Sequence, residues 1–191
     1  MDTRDAHARA LEFFSERVAA VRDDQWDDAT PCSEWDVRAL VNHLTYENLW
    51  CGELFAGRTL DEVGDRYEGR DLLGDDPKAA YAESARVASE AVGSPGAMDR
   101  EVHTSAGRVS GHHYASELIV DLLVHGWDLA AGTGQDQHMP EPLADDAYEF
   151  CLGGRDMIRA SGLFGDDVPV SEDADVQTKL LALLGRDASA W

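Results

Sequence analysis

The sequence predicts an all-α protein: a four-helix bundle with additional short helices toward the C-terminus. Apolar residues recur at three- and four-residue steps through several long segments, which is the period of a helix with one buried face. The first of those segments ends at a charged run, and the third and fourth end at glycine-bearing clusters. Strand-like patterning is confined to one short stretch after residue 100. With 191 residues, 43% of them hydrophobic and 28% charged, the chain suits one domain over 1–191 with a substantial core.

The first helix is predicted over residues 3–21, where Leu11, Phe14, Val18 and Val21 form one apolar stripe. The charged run Asp23 to Asp28 breaks it. Thr30-Pro31-Cys32-Ser33 reads as the entrance to a second helix over 34–54, with Ser33 as N-cap and Glu34 and Asp36 at the positive end of the helix dipole. Its buried side carries Val37, Leu40, Val41 and Leu44. Residues 58–76, glycine-bearing and charged, read as a long connection with room for one short helix.

Pro77 suits the first turn of a third helix, with Ala80, Ser84, Val87 and Ala91 as a narrow seam and Gly93-Ser94-Pro95-Gly96 as its end. Residues 100–111 suit a small hairpin or an extended loop. The fourth helix, over 113–131, is the most apolar part of the chain and stops at Gly132-Thr133-Gly134. A fifth segment over 143–160 is loosened at Gly153-Gly154, and a short last helix spans 176–184.

Net charge excludes several functions. Sixteen Lys and Arg stand against 38 Asp and Glu, a formal charge of −22. Sequence-independent nucleic-acid binding needs cations to displace counterions from phosphate, so DNA and RNA are excluded as partners. The same charge opposes docking on an anionic membrane, and no apolar run approaches the roughly 20 residues of a spanning helix. The acidic, amphipathic start lacks the pattern of a signal peptide. Cys32, Cys51 and Cys151 are too few and too scattered for a disulfide framework and read as small buried residues. A cytoplasmic protein is the expectation.

The candidate site begins with Asp121 and His125. Four residues of helix turn through about 400°, so both side chains leave the fourth helix along one line. Their neighbours are Ile119, Val120, Leu122, Leu123 and Val124. A buried carboxylate in such company costs several kcal/mol unless it is paired or bound to metal. His43, amid Ala39, Leu40, Val41 and Leu44 of the second helix, is the best third ligand. Bundle cores build metal sites from facing helices in this way. A two-histidine, one-carboxylate set suits zinc, iron, nickel or manganese and leaves positions open for water or substrate.

The same spacing also fits a polar cluster in which the three groups simply hydrogen-bond one another. His113 and Glu117 form a competing pair, and Glu117 continues the Asp121–His125 stripe. His112 and His113, near the helix start, point to solvent or a cleft mouth. Glu47, one turn beyond His43, is either a general base for a metal-bound water or a surface carboxylate. Trp50 and Trp127 fit the core or a substrate platform.

Thr30-Pro31-Cys32-Ser33-Glu34-Trp35-Asp36 through His43-Leu44, and Asp121-Leu122-Leu123-Val124-His125-Gly126-Trp127-Asp128, resemble two signatures of a known family. These are the actinobacterial proteins related to the metal-binding domain of mycothiol-dependent maleylpyruvate isomerase, within the DinB-like four-helix bundle superfamily. The tail, with Val168-Pro169-Val170 and Leu180 to Arg186, is similar to the actinobacterial subgroup. The resemblance implies a divalent metal, zinc first, held by His43, Asp121 and His125. It implies mycothiol as thiol cosubstrate, so that no protein cysteine need be catalytic. The isomerase has Glu where this chain has Asp121, and at 191 residues the chain is expected to be too short for the isomerase's additional C-terminal domain.

Three functions are expected on these grounds. One is a metal- and thiol-dependent transferase or isomerase acting on a small molecule. The second is a hydrolase using metal-activated water. The third is a non-enzymatic, stress-related bundle folded around an ion. A homodimer fits the extra apolar face that many bundles bury.

Overall fold

The computed structural model describes residues 1–162 and 164–191. Four long helices form the bundle: α1 (Thr3–Ala20), α2 (Val37–Phe55), α4 (Pro77–Gly93) and α5 (Gly111–Thr133). A short α3 (Leu60–Val63) interrupts the α2–α4 connection, under a capping box between Thr59 and Glu62. After α4, a 3₁₀ turn (Ala97–Asp99) leads into an antiparallel hairpin of β1 (Glu101–Thr104) and β2 (Gly107–Ser110). Beyond the bundle lie α6 (Glu141–Gly153), α7 (Arg155–Ser161) and α8 (Val176–Leu183).

Within the bundle, α2 lies along α4 and α1 along α5, while α1–α4 and α2–α5 contacts close the square. The predicted stripes of α1 and α2 are buried: Leu11, Phe14 and Val18 on α1 with Val21 at its C-cap, and Val37, Leu40, Val41 and Leu44 on α2. Close approach is built in at Gly126, where an added Cβ would stand 2.4 Å from Cε1 of Phe13 on α1. The α4 seam differs from expectation. Its buried face is Tyr81, Ser84, Ala85, Ala88 and Val92, because the Tyr81 ring turns inward against Phe14, with centroids 5.1 Å apart. Ala80, Val87 and Ala91 sit at the edge of that face.

Several element boundaries also differ. Helix α2 starts at Val37 with Asp36, not Ser33, as N-cap, its Oδ1 accepting from the Ala39 N–H at 2.7 Å. The first amides of α2 are met by the preceding loop: Val37 donates to the Asp28 carbonyl and Arg38 to that of Trp26. That loop therefore holds residues 31–35 out of the helix. The expected fifth helix divides into α6 and α7 at Gly153-Gly154. Helix α5 begins at Gly111, capped by Ser110 Oγ at 3.2 Å from the His113 N–H.

Candidate functional site

Helices α2 and α5 bring the three predicted groups together. His43 Nε2 lies 3.2 Å from Asp121 Oδ2, and His125 Nε2 lies 3.4 Å from Asp121 Oδ1. The imidazoles stand edge to face with centroids 5.2 Å apart. The turn that keeps residues 31–35 out of α2 lets Trp35 cover both rings, at 4.5 Å from His43 and 5.3 Å from His125.

Electrostatics tie the three together. Burial alone would push Asp121 up, but the imidazoles of His43 and His125 carry it well below the usual carboxylate range. Burial alone would lower His125; Asp121 and then Asp128 overcome it and raise the ring to about 9.

One nitrogen of His125 is already committed. Its Nδ1 stands 2.9 Å from Asp128 Oδ2, and Asp128 is fully buried. Arg186 reaches the same carboxylate from the chain after α8, Nη2 to Oδ2 at 3.0 Å. Gly185 makes that approach possible: its φ is +80°, and a Cβ there would meet the Gly165 backbone at 2.8 Å. The carboxylate fixes the tautomer, so Nε2 is the lone-pair nitrogen available toward His43 and Asp121 whenever the ring is neutral.

These distances fit a metal. Ligands about 2.1 Å from a tetrahedral zinc lie about 3.4 Å from one another, and the three ligand atoms here are all within 4.8 Å of each other. Cys32, His125 and Asp128 also cluster, but Asp128 is spent on Arg186 and on the far nitrogen of His125, so that group braces the imidazole.

Glu47, one turn along α2, is half-buried, not a surface carboxylate. Burial, then the neighbouring Asp121, push it up to about 7 against the pull of the two imidazoles. It opens on a cavity of about 550 Å³ lined by Tyr46, Trp50, Leu54, Leu60, Asp61 and Tyr114, with Thr104 and Ser105 of the hairpin at its edge. Trp50 is thus a wall of this cavity, whereas Trp127 is core, 1% exposed. Glu117 is taken by His113, 3.4 Å from Nε2, and lies outside the ligand cluster. His112 is exposed and meets Thr3 Oγ1 at 2.7 Å.

A family model described as the mycothiol maleylpyruvate isomerase N-terminal domain matches residues 7–130. The chain belongs to this family. The matched span contains His43, Glu47, Asp121, His125 and Asp128; Arg186 lies beyond it. An uncharacterized protein of Mycobacterium tuberculosis, found in strains CDC 1551 / Oshkosh and ATCC 25618 / H37Rv, is 34% identical over 188 residues, covering 97% of this chain and 98% of the relative. A crystal structure of a mycothiol-dependent maleylpyruvate isomerase variant has the same fold, with a TM-score of 0.73 at 13% identity over 98% of this chain and 90% of that one. The all-α, DinB-like bundle expected from the sequence is therefore the observed architecture. No described helix is long and apolar enough to cross a membrane.

Asp128 and Arg186 are the site residues that the sequence does not announce. The Asp121-x-x-x-His125-x-x-Asp128 spacing does carry a signal, since i+3 and i+4 positions share a helix face. Arg186, 58 residues away from Asp128, has no local signature.

Proposed function

We propose that this chain holds a divalent ion, zinc first, through His43, Asp121 and His125, and uses it to activate a small thiol such as mycothiol for transfer or isomerisation. The observation that carries this is the convergence of two imidazoles on one carboxylate, with the second nitrogen of His125 already committed to Asp128. A cluster needed only for core stability gains little from an Arg–Asp pair behind one of its rings; a metal ligand gains orientation and basicity.

Bound there, the ion supplies Lewis acidity that makes a thiol or water nucleophilic at neutral pH. The chain's own residues do the rest. Glu47, near neutrality, accepts the proton that the nucleophile sheds. Trp35 shields the ligand rings, and Trp50, Leu54 and Tyr114 supply an apolar wall beside them. The thiol comes from solution because the protein's own are poor thiolates: burial raises Cys32 and Cys51 and pushes Cys151 up to about 12.

Glu47 equally supports a second reading, hydrolysis by a metal-activated water with the same base. Thiol dependence separates them, since a hydrolase turns over without added thiol. Protein purified without a histidine tag is assayed for metal by mass spectrometry. The cobalt-substituted form is then titrated with thiol. Near-stoichiometric metal that is lost in His43→Ala, with a thiol-dependent change in the cobalt spectrum, supports the proposal. Full occupancy in His43→Ala refutes the ligand set. A metal-dependent melting temperature with no thiol response favours a structural ion.

A further inference from the structure

The name of the family points to a dicarboxylate substrate, and the cavity beside Glu47 does not have the chemistry for one. His43, Glu47, Trp50 and Leu54 succeed one another along one stripe of α2, and Tyr114, Glu117 and Asp121 do so along α5, so the cavity lies along the same two helix faces as the candidate ligand cluster, one turn away through Glu47. Of its lining residues, the charged ones are Glu47 and Asp61, both acidic; among the described residues no Lys, Arg or His lines it. The nearby arginines are committed elsewhere. Arg58 and Arg66 both pair with Glu53, Arg100 donates to the Phe55 carbonyl, and Arg108 pairs with Glu101. A divalent ion balanced by Asp121 and a thiolate leaves no surplus positive charge to draw in an anion.

Resting on the metal and thiol reading above, we propose that this cavity takes an uncharged or cationic organic molecule with an apolar face, and rejects carboxylates. Trp50, Leu54, Leu60 and Tyr114 cover the apolar face, while Glu47 and Asp61 accept hydrogen bonds from donors on the ligand. A ligand carboxylate in the same place would face the like charge of Asp61, and that of Glu47 whenever it is ionised, with no cation among the lining residues.

The test is calorimetric titration of zinc-loaded protein with two thiols that differ in one charge: N-acetylcysteine and its uncharged amide. The amide is expected to bind at least about tenfold more tightly. Asp61→Asn, on the exposed α3, should narrow that ratio several-fold. Equal or tighter binding of the acid overturns the inference, and so does a ratio that Asp61→Asn leaves unmoved. If neither thiol binds although zinc is present, the cavity is not the ligand site and the inference falls with the metal reading intact. If the protein holds no zinc but the metal-free form still prefers the amide, the inference stands and the thiol-activation reading fails.

Discussion

Replacing Arg186 by Met tests the brace behind His125. The guanidinium, 9% exposed, is the described cation facing a fully buried Asp128 carboxylate. Its removal leaves that charge with only the imidazole for company. Breaking a buried pair by deleting one partner costs about 3–5 kcal/mol, which at 2–4 °C per kcal/mol for a domain of this size predicts a fall in melting temperature of roughly 6–20 °C in metal-free protein. Without the guanidinium to hold it, the Asp128 carboxylate no longer fixes the His125 tautomer firmly, and zinc affinity falls about 10- to 100-fold. Asp128→Asn combined with Arg186→Met removes both charges and should recover most of the stability while leaving zinc affinity low. Thermal melts and zinc competition against a chromophoric chelator measure the two effects separately. If Arg186→Met retains both melting temperature and zinc affinity, the brace has no energetic role and Asp128 does not serve a metal ligand.

Glu47→Gln keeps the shape and removes the base, so thiol-dependent turnover should fall by about 10²-fold or more while zinc content stays unchanged. Gly126→Ala drives a Cβ to 2.4 Å from the Phe13 ring, on which the Arg17 guanidinium stacks at 3.5 Å. Overpacking of this kind should cost about 1–3 kcal/mol in urea denaturation. His7 is 1% exposed, and burial holds its imidazole down at about 4. The unfolded chain protonates it near the ordinary histidine value of 6.5, so the unfolded state binds more protons below that pH and stability is lost as pH falls toward 4. Between about pH 7.5 and 5 this amounts to about 2 kcal/mol, and His7→Leu should flatten that part of the profile; an unchanged profile would mean that His7 does not titrate in isolation.

The bundle is legible because the signals for it are local and repeated. Leu11, Phe14 and Val18, or Leu40, Val41 and Leu44, announce a helix face by spacing alone, and the buried surface tracks that face. Where a tertiary contact competes with local preference, spacing and residue type mislead. Ser33 is a good cap by type, yet the carbonyls of Asp28 and Trp26, in the preceding loop, claim the first amides of α2 and shift its start to Val37. On α4, small residues every three or four positions suggest one seam, while the larger area of Tyr81 rotates the helix to another. The cluster of His43, Asp121 and His125 is legible for the opposite reason: polar groups amid apolar neighbours stand out on two helices at once. Glu47 cannot be placed from sequence, because whether a carboxylate one turn from His43 is wet depends on α3 and the hairpin, which cover that end of the groove.

The chain's charge gives the C-terminal region its significance. Among 38 acids and 16 Lys and Arg, Arg17 is buried and the Arg186 guanidinium nearly so, and both fasten the chain beyond α5 to the bundle. Arg17 on α1 donates to the Phe13 carbonyl and, across the interface, to those of Asp136 and His138. Arg186, entering from α8, neutralises Asp128 on α5. Burying a cation is costly unless its donors are met; Arg186 has partners at all three nitrogens, and Arg17 at both terminal nitrogens, while Arg17 Nε is buried without one. The first contact holds the α5–α6 connection, and the second reaches the far side of a proposed metal ligand. A truncation before Arg186 would therefore remove more than a surface appendage, because it would strip a counter-charge from the interior of α5 and loosen the imidazole on which the proposed chemistry depends.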